Sequence, residues 1–397
     1  MADVLLFLTY LAIILLVGLL TSIVGQRFGI PNILLLLLIG IALGGVEYKG
    51  GPLIEFPELF LTGISILALV MIVFDSASRF KLKKVDYFSL HTLWLSVVFL
   101  VFNLIFLTIF IILIFDVKSI FLALMFAALM SGTSPAVVLS IFRNAKNKVF
   151  EFLQLEALLN TPLIVLLPFI ILDLKTTLKD ELIISTFIEQ FVPLLQQFVV
   201  GIGSGVLIGL IMFKFMRKRY SVVLSPLAVI TSALLAYIIA ENLDGNGVLA
   251  VTTMGILFGN VYVKQKFQLR EFASVFSNSL EILVFVLIGL IVVIPFSLEF
   301  FIKSVALFAL HLIIRFSAII FSLRGMDFTL KEKIFMSLNA QKGIAVAVVV
   351  FSFATLNISG MDVILNLVLA FMLYSIILSS VVFRMAKFFV EGIEGRK

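Results

Sequence analysis

Residues 119–142 read SIFLALMFAALMSGTSPAVVLSIF. As a helix, a block of this length crosses about 30 Å of hydrocarbon. Yet Ser131-Gly132-Thr133-Ser134-Pro135 stands at its middle. Proline removes a backbone donor and clashes with the turn before it, and glycine weakens the helix further. In lipid a freed backbone group has no water to turn to. The hydroxyls of Thr133 and Ser134 therefore either satisfy the broken backbone or, with exposed carbonyls, coordinate a dehydrated cation. Broken helices at the midplane recur in secondary transporters, and kinks for packing alone also occur.

The rest of the chain has the same character. Of its 397 residues, 62% are hydrophobic and 13% charged, against about half and a quarter in soluble domains. Thirteen apolar blocks separated by breakers read as membrane spans: 4–24, 30–45, 59–79, 88–115, 119–142, 152–173, 188–213, 222–241, 246–263, 272–294, 300–323, 331–352 and 363–386. The stretch between 174 and 187 is more polar and has room for a short interfacial helix. Ten-residue segments of alternating polarity, the mark of a membrane β-barrel, do not occur. Cysteine is absent, and the two histidines, His91 and His311, lack metal-ligand spacing. There is no phosphate loop, nucleophile–base pair or metal cluster, so neither an enzyme nor a cofactor site is expected. The first block lacks a basic leader and a small-residue cleavage site, and reads as a retained helix. The net charge of +6 sits in short clusters between apolar blocks, which fits membrane lipid rather than nucleic acid.

Those clusters test the span count, because cytoplasmic loops are enriched in Lys and Arg. Alternate connections carry Arg27; Arg79, Lys81, Lys83 and Lys84; Arg143, Lys146 and Lys148; Lys214, Arg217, Lys218 and Arg219; Lys264, Lys266 and Arg270; and Arg324, Lys331 and Lys333. The C-terminal tail adds Arg384, Lys387, Arg396 and Lys397, while the opposite side has Lys49, Lys118, Lys175, Lys179 and Lys303. One span more or fewer would scramble this alternation. The N-terminus is therefore expected outside and the C-terminus in the cytoplasm, in a multi-pass protein of the cell (inner) membrane with no soluble domain.

Five ionisable residues fall inside spans: Asp75, Glu156, Glu281, Arg315 and Lys342. Each costs at least a few kcal/mol near the bilayer centre, which makes each a functional candidate by default. The structural alternative is a set of ion pairs that lock helices together, and Arg315 with Glu281 reads that way. Span six runs Gln154-Leu155-Glu156-Ala157-Leu158-Leu159-Asn160-Thr161-Pro162. Glu156 and Asn160 share a helix face, and Pro162 frees the carbonyl of Leu158. A carboxylate, an amide, a hydroxyl and a carbonyl within two turns suit a hard monovalent ion, or else a buried network that orients the helix. In span twelve, Asn339-Ala340-Gln341-Lys342-Gly343 puts a lysine at the start of a glycine-kinked stretch. Lys342 reads as the partner of Glu156 or Asp75, as a proton carrier, or as a residue snorkelling to the cytoplasmic side.

Taken in order and at their spacing, these segments resemble the cation/proton antiporter superfamily, and within it the sodium/proton exchanger branch. The resemblance rests on Ile30-Pro31-Asn32-Ile33-Leu34 with Ile39-Gly40, Phe74-Asp75, Thr133-Ser134-Pro135, and Glu156-Ala157-Leu158-Leu159-Asn160. It continues through Gly247-Val248-Leu249-Ala250 to Gly259-Asn260, then Val284-Phe285-Val286-Leu287-Ile288-Gly289, Arg315 and Lys342-Gly343. It implies an all-α fold of two inverted repeats in one transmembrane domain over residues 1–397. Core helices (88–173 and 300–386), with spans five and twelve crossing as broken helices, would move against scaffold helices (4–80 and 188–294) that form a homodimer.

The departures are equally specific. Similar exchangers have Thr-Asp-Pro where this chain has Thr133-Ser134-Pro135, and Asn-Asp where it has Asn160-Thr161. Their Gly-Pro-Arg-Gly has become Ala340-Gln341-Lys342-Gly343. A threonine hydroxyl coordinates a cation but does not titrate, so proton coupling has to move to Asp75, Glu156 or Lys342. Lysine can release a proton where arginine does not. The expectation is Na⁺ or K⁺ exchange for H⁺ by alternating access. Asp75, Glu156 and Lys342 would carry charge, with Thr133, Ser134, Asn160 and Thr161 as neutral ligands. The alternatives are a transporter of the same fold that is uncoupled from protons or moves another solute, and a transport-inactive sensor or subunit.

Overall fold

The computed structural model describes residues 2–28, 32–48, 51–52, 54, 56–79, 87–134, 147–177, 184–218, 221, 223–261, 265–291, 297–354, 356 and 358–390. It is helical almost throughout, apart from a small antiparallel pair, Glu47–Tyr48 with Gly51–Pro52. Among the described residues, eight helices are long and apolar enough to cross a membrane, and five shorter apolar helices accompany them. Each of the thirteen expected spans overlaps one of these over at least part of its length.

In chain order the helices are α1 (Ala2–Phe28), α2 (Asn32–Gly44), α3 (Glu58–Ser78), α4 (Tyr87–Phe102), α5 (Thr108–Phe115) and α6 (Ile120–Met130). Next come α7 (Lys148–Thr177), α8 (Ile184–Lys218), α9 (Leu224–Asn242), α10 (Gly247–Asn260) and α11 (Lys266–Ile291). The last are α12 (Leu298–Ser322), α13 (Leu330–Leu338), α14 (Ile344–Ala354), α15 (Met361–Arg384) and the short α16 (Ala386–Phe389). The polar stretch after span six is shorter than expected: α7 runs on to Thr177 and α8 begins at Ile184, and residues 178–183 lie outside the described ones.

The chain forms two compact units, residues 1–65 with 87–160 and 281–397, and residues 66–86 with 161–280. In the second unit α8, α9 and α10 pack on one another, and small residues set their spacing. A Cβ at Gly201 would come within 2.8 Å of the Asn246 carbonyl oxygen, so only glycine lets these backbones approach so closely.

In the first unit α2 and α11 meet in the same way, with Gly40 against Gly289. A Cβ on Gly289 would stand 2.6 Å from the Leu37 carbonyl oxygen and 2.8 Å from the Gly40 Cα. α4 and α5 are one continuous rod interrupted by a π-helical turn, Asn103–Leu107. It ends where Asp116 takes a left-handed conformation, φ 51°, which a short polar side chain tolerates.

Two helices in this unit break at mid-length, as the sequence predicts. α6 stops at Met130 and the backbone runs on without helix through Ser134. The second half of span five, Pro135 to Phe142, and residues 143–146 after it lie outside the described residues. α13 opens on a capping box, in which Thr329 Oγ1 accepts from the Glu332 amide and Glu332 Oε2 from the Thr329 amide. It ends at Leu338, and Asn339 to Gly343 are unwound before α14 resumes.

Candidate functional site

The two unwound segments of the first unit touch. The Ser134 amide donates to the Gln341 carbonyl at 2.8 Å. A Cβ on Gly343 would overlap the Ser134 side chain, so a glycine is what lets the strands cross. Breaking α6 frees its last carbonyls, and in a water-free interior each needs a donor. Ser131 Oγ takes the Ala128 carbonyl. Lys342 takes two more: its Nζ donates to the Met130 oxygen at 2.6 Å and to the Gly132 oxygen at 2.8 Å. A cation at the C-terminal end of a helix is also where the helix dipole favours it. The Lys342 backbone amide donates to Ser375 Oγ on α15 at 3.0 Å.

One residue beyond Gly132, Thr133 Oγ1 accepts from Asn160 Nδ2 at 2.7 Å. Both side chains are buried. Asn160 Oδ1 has no partner among the described residues, and neither has the buried Asn339 Oδ1. Unpaired buried oxygens are costly and call for an explanation. Each is a free oxygen acceptor of the kind a dehydrated monovalent cation can use.

Glu156, one turn before Asn160 on α7, has a different partner. Arg315 Nη1 and Nη2 donate to its two carboxylate oxygens at 2.6 and 2.8 Å, with both side chains 0% exposed. This corrects the expected pairing of Arg315 with Glu281. Glu281 is only partly buried and makes no ion pair among the described residues. A fully buried guanidinium needs a planar two-oxygen acceptor, and Glu156 is the buried carboxylate that offers one. The Phe99 ring lies 4.7 Å from the guanidinium carbon and 5.9 Å from Lys342 Nζ, so it stacks against both cations.

Among the described residues, the crossing thus holds two cationic side chains, Arg315 and Lys342, and one carboxylate, Glu156. Arg315 takes the carboxylate. Lys342 lies within ion-pair distance of no carboxylate among the described residues, and is held by carbonyl dipoles instead. The expected pairing of Lys342 with Glu156 is accordingly not formed. Ser134 enters the crossing through its backbone amide. Thr161 follows Asn160 on α7, but its side chain lies outside the described residues.

Asp75 belongs to the second unit. It is 8% exposed on α3 and accepts from Arg79 Nη2 at 2.7 Å, and the same nitrogen donates to Ser274 on α11 at 2.9 Å. His311, which the sequence marked only as an unsuitable metal ligand, is fully buried, with Nε2 at 3.1 Å from Lys342 Nζ. Its place could have been suspected only from its being a lone histidine inside an apolar span.

A family model described as sodium/hydrogen exchanger, transmembrane, matches residues 11–387. The chain belongs to this family. It is a family of exchangers, not of enzymes, and its members span the membrane many times. Among similar proteins is a K⁺/H⁺ antiporter, NhaP, of Alkalimonas amylolytica, 26% identical over 340 residues. That match covers 82% of this chain and 57% of the relative, so the chain spans little more than half its length. A probable Na⁺/H⁺ antiporter 2 of Methanocaldococcus jannaschii is 26% identical over 318 residues, 74% of this chain and 71% of the relative. The fold matches the solved structure of the sodium proton antiporter MjNhaP1 from the same archaeon, with a TM-score of 0.79 and 19% identity over 98% of this chain and 100% of that one. The exchanger architecture is therefore present from end to end.

Proposed function

We propose that this chain is a secondary transporter that exchanges Na⁺ or K⁺ for protons by alternating access. The observation that carries this reading is Lys342, buried at the helix crossing on the carbonyls of Met130 and Gly132, the second of which adjoins Thr133 of the Thr133–Asn160 pair with its unpartnered oxygen. Like charges brought into one site repel by a few kcal/mol at an effective dielectric constant of about 20, and about 1.4 kcal/mol is tenfold in affinity. A protonated Lys342 then keeps a cation out, and a neutral Lys342 lets one in. That competition is antiport without a titrating aspartate, and lysine, unlike arginine, has the chemistry for it. The names of the K⁺/H⁺ and Na⁺/H⁺ antiporters among its relatives support the class of ion.

On this reading Thr133, Asn160, Thr161 and the Ser134 segment are neutral ligands. Glu156, held by Arg315, serves as counter-charge to the site, and Asp75 is the second carboxylate of the transport path. Helices in 88–173 and 300–386 form the moving core, and those in 4–80 and 188–294 the scaffold of a homodimer. The basic clusters put the C-terminus in the cytoplasm of a cell-membrane protein. The test is ion flux in proteoliposomes with a pH-sensitive dye inside, adding Na⁺, K⁺ and Li⁺ in turn. Cation-driven proton movement that is lost in Lys342→Met and in Lys342→Arg supports the reading. Proton movement retained in both moves the coupling to Glu156 or Asp75, which Glu156→Gln and Asp75→Asn then separate. No proton movement with any cation, from folded protein, ends the antiport reading. A second reading, transport of an anion or neutral solute, draws on the excess positive charge at the crossing, and the same vesicles test it with labelled anions.

A further inference from the structure

Lys342 is not the only titratable group at the crossing. As an ammonium it has three N–H donors and no acceptor. Two point at the carbonyls of Met130 and Gly132, and the third meets His311 Nε2 at 3.1 Å. Because an ammonium has no lone pair, Nε2 has to be the acceptor, so it is unprotonated and any proton on the neutral ring sits on Nδ1. The opposite side of the ring agrees: Nδ1 lies 3.1 Å from Asn103 Oδ1, an acceptor. Asn103 is brought there by the π-helical turn between α4 and α5 and is 0% exposed. Such turns are frequent at functional sites. Its Nδ2 has no partner among the described residues, so the amide is oriented toward the histidine at the expense of its own second hydrogen bond.

The other neighbours of the imidazole are aromatic: Phe99 from α4, Phe371 from α15 and Phe308 on its own helix, with ring centroids at 5.6, 5.7 and 6.3 Å. Tyr374 on α15 meets Phe308 edge to face behind it. The charged groups facing it are Lys342 from the crossing and Arg315 one turn along α12, the latter already paired with Glu156.

We propose that His311 and Lys342 share one proton at the crossing and together carry it through the exchange cycle, with Asn103 as the positioning residue that fixes the ring. This deepens the proton-exchange reading above and rests on it. In the step, the Nζ–H bond of Lys342 breaks and an Nε2–H bond forms on His311. The positive charge passes from ammonium to imidazolium, and the neutral amine still faces the Met130 and Gly132 carbonyls. Nothing is oxidised or reduced. The imidazolium keeps its Nδ1–H on Asn103 and donates Nε2–H to the amine lone pair, so both charge states are fully hydrogen bonded. Moving the charge onto His311 takes it off the carbonyls beside Asn160, and loss of that proton from the ring then leaves the crossing free for a metal cation.

The chain has two histidines, so ¹⁵N-histidine NMR of the whole chain carrying His91→Gln reads His311 alone. The expected neutral ring is protonated at Nδ1 and bare at Nε2, and Lys342→Met displaces the Nε2 resonance. A neutral ring protonated at Nε2 and bare at Nδ1 overturns the shared proton, and that measurement needs no variant at the crossing. Ring resonances left unchanged by both Lys342→Met and Lys342→Arg overturn it equally. In proteoliposomes His311→Gln is expected to shift the pH of half-maximal cation-driven proton movement by about one unit or more, and Asn103→Leu to shift it in the same direction by less. Coincident pH profiles for the parent and His311→Gln overturn the carrier role even where the spectra support the shared proton. Parent protein that moves no protons means the exchange reading has failed, and the carrier role falls with it. The spectra alone then decide whether the pair exists.

Discussion

Arg315 and Glu156, 159 positions apart in the chain, meet through two parallel hydrogen bonds of 2.6 and 2.8 Å with both side chains fully buried. The pair ties α12 to α7 beside the crossing of the broken helices. It also removes from the site the one buried carboxylate that Lys342 would otherwise have claimed. A buried pair of this kind is weak evidence of net stabilisation, but losing one partner leaves an uncompensated charge in a dry interior.

Glu156→Gln and Arg315→Gln are each expected to destabilise the fold by about 3–5 kcal/mol. Glu156→Leu combined with Arg315→Met should recover most of that loss. Thermal unfolding in detergent checks this by comparing the two single variants with the double one. A Glu156→Gln protein as stable as its parent would mean that Arg315 has another acceptor.

Gly343 is fitted to Ser134, whose side chain occupies the space of a Cβ at that position. Gly343→Ala is expected to cost about 1–3 kcal/mol and to open the contact between the two unwound segments. Ser134→Gly in the same protein should restore stability. Failure of this second substitution to rescue the first would place the strain elsewhere.

On the exchange reading proposed above, loss of Asn160 or Thr133 should show in cation affinity. Asn160→Ala and Thr133→Val each delete one side of the 2.7 Å bond between those residues. A lost coordinating oxygen is worth about 1–3 kcal/mol, so the cation concentration for half-maximal flux should rise about tenfold or more. An unchanged half-maximal concentration in both variants would remove this pair from the ion site.

Glycines offer a contrast that needs no transport assay. Gly289→Ala would push a methyl group to 2.6 Å from the Leu37 carbonyl oxygen, whereas a Cβ at Gly63 meets nothing within 4 Å. The first substitution should lower the unfolding midpoint. Gly63→Ala should raise it, by the helix propensity gain of up to about 1 kcal/mol. Equal effects at the two positions would argue against close packing of α2 on α11.

The number of spans, the alternation of basic loops, and the break points at Ser131 to Ser134 and Asn339 to Gly343 all stand in the residue order, and so does membership of the exchanger family. The physical reason is that each is a local property. Twenty apolar residues span lipid whatever surrounds them, and a glycine or proline weakens a helix in any context. The sequence also names the buried ionisable residues, because their cost in lipid is local too. It does not say which groups they face. These helices are apolar nearly all round, so their composition does not mark the side that meets a neighbour. Only the packed structure turned Arg315 to Glu156 and not to Glu281, set Lys342 on the carbonyls at the end of α6, and brought His311 and Asn103 in beside it. Such contacts join residues from 31 to 212 positions apart, and the rotation and depth of each helix, which decide them, are settled by the fit of many side chains at once.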